Sequence, residues 1–308
     1  MTEVSPRPAG PPGDRILRAI TDDGAFRVIT LSSTESVNAA IAKQKDHGAQ
    51  GQLAHLFADL LTAAVLVRES MSPDLRVQVI LQSADHKSRI VVDAQPDGSC
   101  RGVLLLPTPP EGVLHPPPPS PDVFTSDGAL LQVARTLQTG AIQQGVVSAA
   151  GGVSEALMQY MQQSEQVVTM CAVGSLMKDG VVTSAGGYLV QLLPEVVEGP
   201  LMVMTERLKD FTSMDGLLAN GAGGAAEPET LMKELLYGMA YTKVAERDDL
   251  RFACTCSPTR VAATLATLPK SDIEDLLRDG RLLDIECDYC HTRYEFPPEQ
   301  LRGMLEKN

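Results

Sequence analysis

The chain has 308 residues, with 39 acidic against 26 basic side chains and a formal net charge of −13. That balance argues against nucleic acid as a partner, because phosphate binding relies on clustered Lys and Arg. A hydrophobic content of 44% is enough for one large core plus a small second domain. The six cysteines are not spread as a disulfide framework, so a reducing compartment and a cytoplasmic location are expected.

Residues 1–13, MTEVSPRPAGPPG, are rich in Pro and Gly and lack an apolar core segment, so they read as a disordered tail and not a signal peptide. No run reaches the eighteen or so apolar residues of a membrane span. The nearest candidate, Leu53 to Val67, carries His55 and Asp59 and reads as a buried helix. Residues 14–196 are expected to form one α+β domain around a mostly antiparallel sheet with packed helices. Its strands are Ala25 to Leu31, Leu75 to Leu81, Arg89 to Asp93, Gly102 to Leu106, Leu130 to Leu137, Gln143 to Ser148, Val167 to Val173 and Tyr188 to Leu193. A short helix over Ser154 to Gln163 is expected, capped by Ser154. Pro107 to Pro121, with consecutive prolines at Pro116 to Pro119, cannot be a ladder strand and reads as an extended polyproline loop. A docking ligand for a proline-reading partner is the alternative use of that loop.

This domain shows no catalytic constellation, and an enzyme is not expected. His47, His55, His86 and His115 are scattered, and no Ser, Cys or carboxylate sits in a nucleophile or metal-ligand motif. Cys100 and Cys171 fall on or near strands and read as small buried hydrophobes. Met158, Met161 and Met170 are expected in the core rather than on a binding surface.

From residue 197 to 250 the composition changes. Leu201 to Leu208 and Met232 to Tyr241 read as helices, separated by the flexible break Asn220 to Ala226. Short helices of this kind need tertiary packing to persist. The stretch is either an ordinary helical linker docked on the sheet or a conditionally folded element that exposes an apolar face when released.

Residues 251–308 hold the main chemical signal. Cys254 and Cys256 form a C-x-C pair, and Cys287 and Cys290 a C-x-x-C pair. Four thiolates suit a closed tetrahedral Zn²⁺ site, so one zinc ion per chain is expected here. The spacer is foldable. Ser257 and Pro258 read as N-cap and first-turn proline, followed by Val261, Leu265 and Leu268 on one face. Ser271 and Glu274 read as a capping box for a second helix with Ile273, Leu276 and Leu277 as its apolar face, ended by Gly280. Cys287 to His291 also matches the C-x-x-C-H haem-attachment string, but that reading leaves the C-x-C pair unexplained. A thioredoxin-like motif would sit at a helix N-terminus, whereas Tyr294 to Phe296 and two prolines follow here, as in a hairpin knuckle. A zinc site that only holds a tail together is the remaining alternative.

These cysteine pairs, with CTC and CDYC, resemble the redox-regulated heat shock protein 33 chaperones. Gly145-Val146-Val147, Tyr160 followed by Ser164-Glu165-Gln166, Ala185-Gly186-Gly187 and Gln191 to Pro194 carry the likeness upstream, over roughly residues 14 to 305. One departure is His291, where that family more often has a small residue such as glycine. The resemblance implies an ATP-independent holdase for unfolded proteins under oxidative stress, inactive when reduced and zinc-bound and dimeric when oxidised. It implies that Cys254, Cys256, Cys287 and Cys290 are both the zinc ligands and the redox-active thiols, paired on oxidation as Cys254–Cys256 and Cys287–Cys290. It also favours a metastable linker at 197–250 and a zinc-binding redox-switch domain at 251–308. The rival functions are a thiol-disulfide oxidoreductase and a zinc-stabilised interaction module without a redox response.

Overall fold

The computed structural model describes residues 13–107, 119–137, 139–194, 196–219, 227–278 and 282–305. The first twelve residues of the expected tail, the centre of the proline-rich loop with His115, the Asn220 to Ala226 break and Gly280 lie outside them. The chain divides into two compact units, Met1–Phe252 and Ala253–Asn308.

In the first unit the elements run β1 (Ile16–Thr21), β2 (Phe26–Ser32), α1 (Thr34–Gln44), α2 (Gly51–Ser70), β3 (Arg76–Gln82), β4 (Arg89–Ala94) and β5 (Ser99–Leu105). They continue as β6 (Leu130–Thr136), β7 (Ile142–Ser148), α3 (Val153–Gln163), β8 (Thr169–Lys178) and β9 (Val181–Leu192). Then come α4 (Glu198–Leu208), α5 (Asp215–Ala219), α6 (Pro228–Leu235), β10 (Tyr241–Arg247) and β11 (Arg251–Phe252). Two sheets result, ordered β10-β1-β2-β9-β8 and β11-β5-β4-β3-β6-β7. Their pairings are antiparallel except the short β11–β5 contact. The architecture is α+β, as expected.

The core is built on α2. Its apolar residues pack against Ile29 and Leu31 of the first sheet and against Val77, Val79, Ile90 and Val92 of the second. By length and composition α2 could cross a membrane, yet it is mostly buried inside this core. Two glycines let the helix approach. A Cβ at Gly102 would stand 2.5 Å from the Phe57 ring, and one at Gly187 would stand 2.7 Å from the Ala172 carbonyl and 3.1 Å from Leu66. Neither position has room for a side chain, which gives Gly187 of the Ala185-Gly186-Gly187 motif a packing role.

The other face of the five-stranded sheet is covered as well. Leu17, Phe26, Val28, Tyr188 and Val190 pack against Met204, Leu208, Leu218, Leu231 and Leu235 from α4, α5 and α6. A sheet buried on both faces lacks the apolar/polar alternation that marks a strand, which is why β1 is not visible in the sequence. The half-exposed β3, with a strict buried/half-buried alternation, is.

Two local expectations are corrected and one helix is added. Helix α3 is capped at Gly152, not Ser154, whose hydroxyl instead accepts the Val173 N–H at 3.1 Å and ties α3 to β8. The helix expected over Met232 to Tyr241 ends at Leu235, and Tyr241 opens the edge strand β10, paired to β1. Finally, α1 was not anticipated. Asp14 caps it from a distance, its carboxylate accepting the Glu35 and Ser36 amides at 3.0 and 2.6 Å.

Candidate metal centre

The second unit is assembled from α7 (Pro258–Leu265), α8 (Lys270–Arg278), β12 (Leu283–Glu286), β13 (Arg293–Phe296) and α9 (Pro298–Leu305). As expected, Ser257 caps α7, its hydroxyl accepting the Arg260 amide at 3.2 Å, with Pro258 at the first turn. The expected capping box is not formed. Helix α8 already starts at Lys270, and the Ser271 hydroxyl bonds Asp272 instead. Among the described residues Leu265, Ile273 and Phe296 are the buried members of this unit's hydrophobic cluster, flanked by half-buried Val261, Leu277, Leu283, Ile285 and Tyr294.

Strands β12 and β13 form an antiparallel hairpin, and Cys287 to Cys290 turn at its tip. The Cys287 amide donates to the Thr292 carbonyl at 3.0 Å, and the His291 amide donates to the Cys287 carbonyl at 2.8 Å. This is the knuckle anticipated from sequence. His291 sits at φ +59°, in the left-handed region where glycine is at ease. Its ring Nδ1 lies 2.7 Å from Glu286 Oε1, and this bond holds the Glu286 carboxyl below its usual range. The departure at His291 thus keeps the turn and adds a side-chain tie across it.

The knuckle brings Cys287 and Cys290 to the C-x-C pair. All four Sγ atoms of Cys254, Cys256, Cys287 and Cys290 lie within 4.8 Å of one another. The Cys254–Cys287 separation is 3.8 Å and the Cys256–Cys290 separation 3.3 Å. A tetrahedron with Zn–S bonds of about 2.3 Å has sulfur–sulfur edges of about 3.8 Å. The donor set therefore fits a four-coordinate soft cation.

The electrostatics agree with that fit. Burial pushes the Cys256 thiol up to about 12, despite the Tyr294 hydroxyl that donates to it at 3.0 Å, and the neighbouring sulfurs push the same way. Cys287 is raised, first by burial, although the Cys290 and Tyr289 amides favour its thiolate. Burial opposes ionisation of Cys290 too, but the Thr292 hydroxyl and amide outweigh it and bring this thiol down to about 7. Left to themselves, four crowded sulfurs place charge on one of their number and hold neighbours protonated. A cation removes that conflict, since metal binding displaces the protons.

The other two cysteines stand apart. Cys100 and Cys171 are buried in β5 and β8, and burial pushes each thiol up to about 12. Alkylation with iodoacetamide after chelation of the metal, without denaturant, is expected to label the four clustered cysteines, whose unit then opens, while leaving these two, buried in the first unit, unmodified, as peptide mass mapping would show. Met161 is buried and Met158 packs against the core, as expected; Met170 is only half-buried.

One constellation was invisible in the sequence. His55 and Asp59, one turn apart on α2, converge on Ser175 of β8. The Ser175 hydroxyl donates to Asp59 at 2.8 Å and lies 3.2 Å from His55 Nδ1. The serine sits between the two, whereas a nucleophilic triad needs the histidine there. It reads as a polar tie between α2 and the sheet.

The family model described as Hsp33 protein matches residues 14–297. A 33 kDa chaperonin of Syntrophotalea carbinolica is 28% identical over 95% of this chain and 99% of its own. One from Lachnoclostridium phytofermentans is 26% identical over 96% and 99%. The crystal structure of the 33 kDa chaperonin of Thermotoga maritima superposes with a TM-score of 0.72 at 21% identity, covering 96% of this chain and 98% of that one, a likeness of fold. With a family match across nearly its whole length and a fold to go with it, the chain belongs to the Hsp33 family.

Proposed function

We propose that this protein is an ATP-independent holdase chaperone whose activity is switched by oxidation of a zinc–tetrathiolate centre. The four-sulfur cluster carries the reading, supported by family membership and by relatives named 33 kDa chaperonin. In the reduced state Cys254, Cys256, Cys287 and Cys290 hold one Zn²⁺, which supplies folding energy to a unit with very little core of its own. On oxidation each cysteine pair loses two electrons and closes one disulfide. A peroxide oxidant takes up those electrons and two protons to leave two waters for each bond formed. Disulfide sulfurs carry no thiolate charge, so they release the cation. Pairing is proposed as Cys254 with Cys256 and Cys287 with Cys290.

The segment 197–250 is proposed as the responsive linker. Helices α4 to α6 lie over the apolar outer face of the five-stranded sheet, so their release would uncover Leu17, Phe26, Val28, Tyr188 and Val190. An exposed apolar patch of that kind captures unfolded chains and favours self-association. The proposed partners are unfolded cytoplasmic clients and, once oxidised, a second copy of the chain.

The test is suppression of aggregation of a thermally unfolded client, with zinc release followed in parallel. Oxidised protein is expected to suppress aggregation stoichiometrically while the reduced form does not. Equal suppression by both forms would leave a zinc-stabilised module without a switch, and catalytic turnover of a disulfide substrate would point to an oxidoreductase.

A further inference from the structure

A cavity of about 320 Å³ opens between the outer face of the five-stranded sheet and α4. Phe26, Met170 and Val190 line it from the sheet, and Leu201 and Met204 line it from the helix. Its volume lies in the range of about 300–1,000 Å³ typical of small-molecule sites, which combine apolar walls with a few placed polar groups. Here those groups are Thr205, Thr212 and Lys209. Although acidic residues outnumber basic ones by 39 to 26 in the chain, among the described residues no carboxylate lines the cavity and one ammonium does. Lys209 Nζ is shared with Glu206 at 2.5 Å in an exposed pair, an interaction worth little in water. An ammonium has three donors, so others stay available.

We propose that this cavity binds a medium-chain aliphatic monocarboxylate, its chain lying between sheet and α4 and its headgroup at Lys209. The walls favour an alkyl chain, the lone cation selects a single negative charge, and the lack of a lining carboxylate disfavours an alkylammonium ion. Such a ligand touches both the sheet and the helix covering it, so it binds only while the cover is docked. If the linker acts as proposed above, the ligand opposes its release. At a ligand concentration a hundredfold above Kd, the ratio of released to docked cover falls about 100-fold. Binding itself does not depend on that reading.

The chain contains no tryptophan, so Val168→Trp on the cavity wall, at a position 57% exposed, installs a single fluorophore there. Titration of this reduced, full-length variant with decanoate is expected to give a saturable emission change, and calorimetry on the unsubstituted protein to give the same Kd. Lys209→Glu is expected to weaken decanoate at least 10-fold while leaving decanol unaffected, and decyltrimethylammonium should bind more weakly than either. Absence of saturation below the micellar range would overturn the site. Equal affinities for all three probes, unchanged by Lys209→Glu, would overturn the headgroup assignment. In a separate arm, decanoate is expected to delay the oxidant-induced gain of holdase activity. Saturable binding without that delay would count against the linker reading while leaving the site intact.

Discussion

Chelating the metal from reduced protein, or oxidising the four thiols, is expected to unfold the second unit while the first, apart from the segment 197–250, keeps its structure. Among the described residues of this unit Leu265, Ile273 and Phe296 are the buried hydrophobics of its cluster, and a unit of this length is marginal without a staple. A structural zinc typically supplies about 10–16 kcal/mol of apparent folding energy in small domains. Disulfides within each motif close loops of a few residues, worth about 2 kcal/mol apiece on the chain-entropy estimate. Two sulfur contacts run across the motifs, Cys254 to Cys287 at 3.8 Å and Cys256 to Cys290 at 3.3 Å. Bonds there would close loops of about 34 residues and be worth about 3.7 kcal/mol each. Pairing therefore sets how thoroughly the unit unfolds, and the proposed pairing within motifs is the one that unfolds it most. Disulfide mapping, zinc release and circular dichroism on the same sample check this. Cys→Ser at any of the four positions should likewise abolish tight zinc binding; at Cys256 it would also remove the sulfur that accepts the Tyr294 hydroxyl. A chelated, zinc-free second unit that keeps native NMR dispersion would sink the account.

The parts of this fold that could be read from sequence are those whose local signal survives tertiary context. The four cysteines announce themselves because thiolate ligation needs a residue type and a count, and Ser257-Pro258 caps α7 as such a pair does elsewhere. Strand β3 alternates because one of its faces is only half covered. Strand β1 and helix α1 carry no local signal, for opposite reasons. Ile16 and Leu17 are both buried because both faces of their sheet are covered, which removes the alternation. The cap of α1 comes from Asp14, well before the helix begins, where a local search finds only Ser33. Edge strand β10 was read as helix and linker because Tyr241 to Arg247 is largely exposed, and its place is set by pairing with β1. The grouping of His55, Asp59 and Ser175 joins residues more than a hundred positions apart and has no linear signature.

Glu69→Gln is expected to destabilise the first unit by about 3–5 kcal/mol, the usual cost of breaking a buried ion pair by removing one partner. Glu69 lies in the last turn of α2 with its side chain 2% exposed. It bridges Arg18 of β1 at 3.4 Å and Arg247 of β10 at 2.8 Å. Buried Arg68 sits beside it, with Nε and Nη1 lacking hydrogen-bond partners. Burial already holds the Arg68 guanidinium below its ordinary range; Glu69 counters this, while Arg247 and Arg18 add to it. Losing the carboxylate thus leaves three guanidiniums facing one another with less to offset them. Arg247→Ala should cost less, because the carboxylate then keeps Arg18. The effect should be local before it is global, since β10 is an edge strand held otherwise by its pairing with β1 and by ties such as Arg15 with Glu246 and Thr242 with Asp22. Hydrogen exchange in Glu69→Gln is therefore expected to accelerate first in β10 and α6, with α2 still protected. If the segment 197–250 is the responsive linker, this variant should also reach holdase activity at a lower oxidant dose. Faster exchange spread evenly over both sheets, with no change in that dose, would show that Glu69 supports the core as a whole and does not latch the linker.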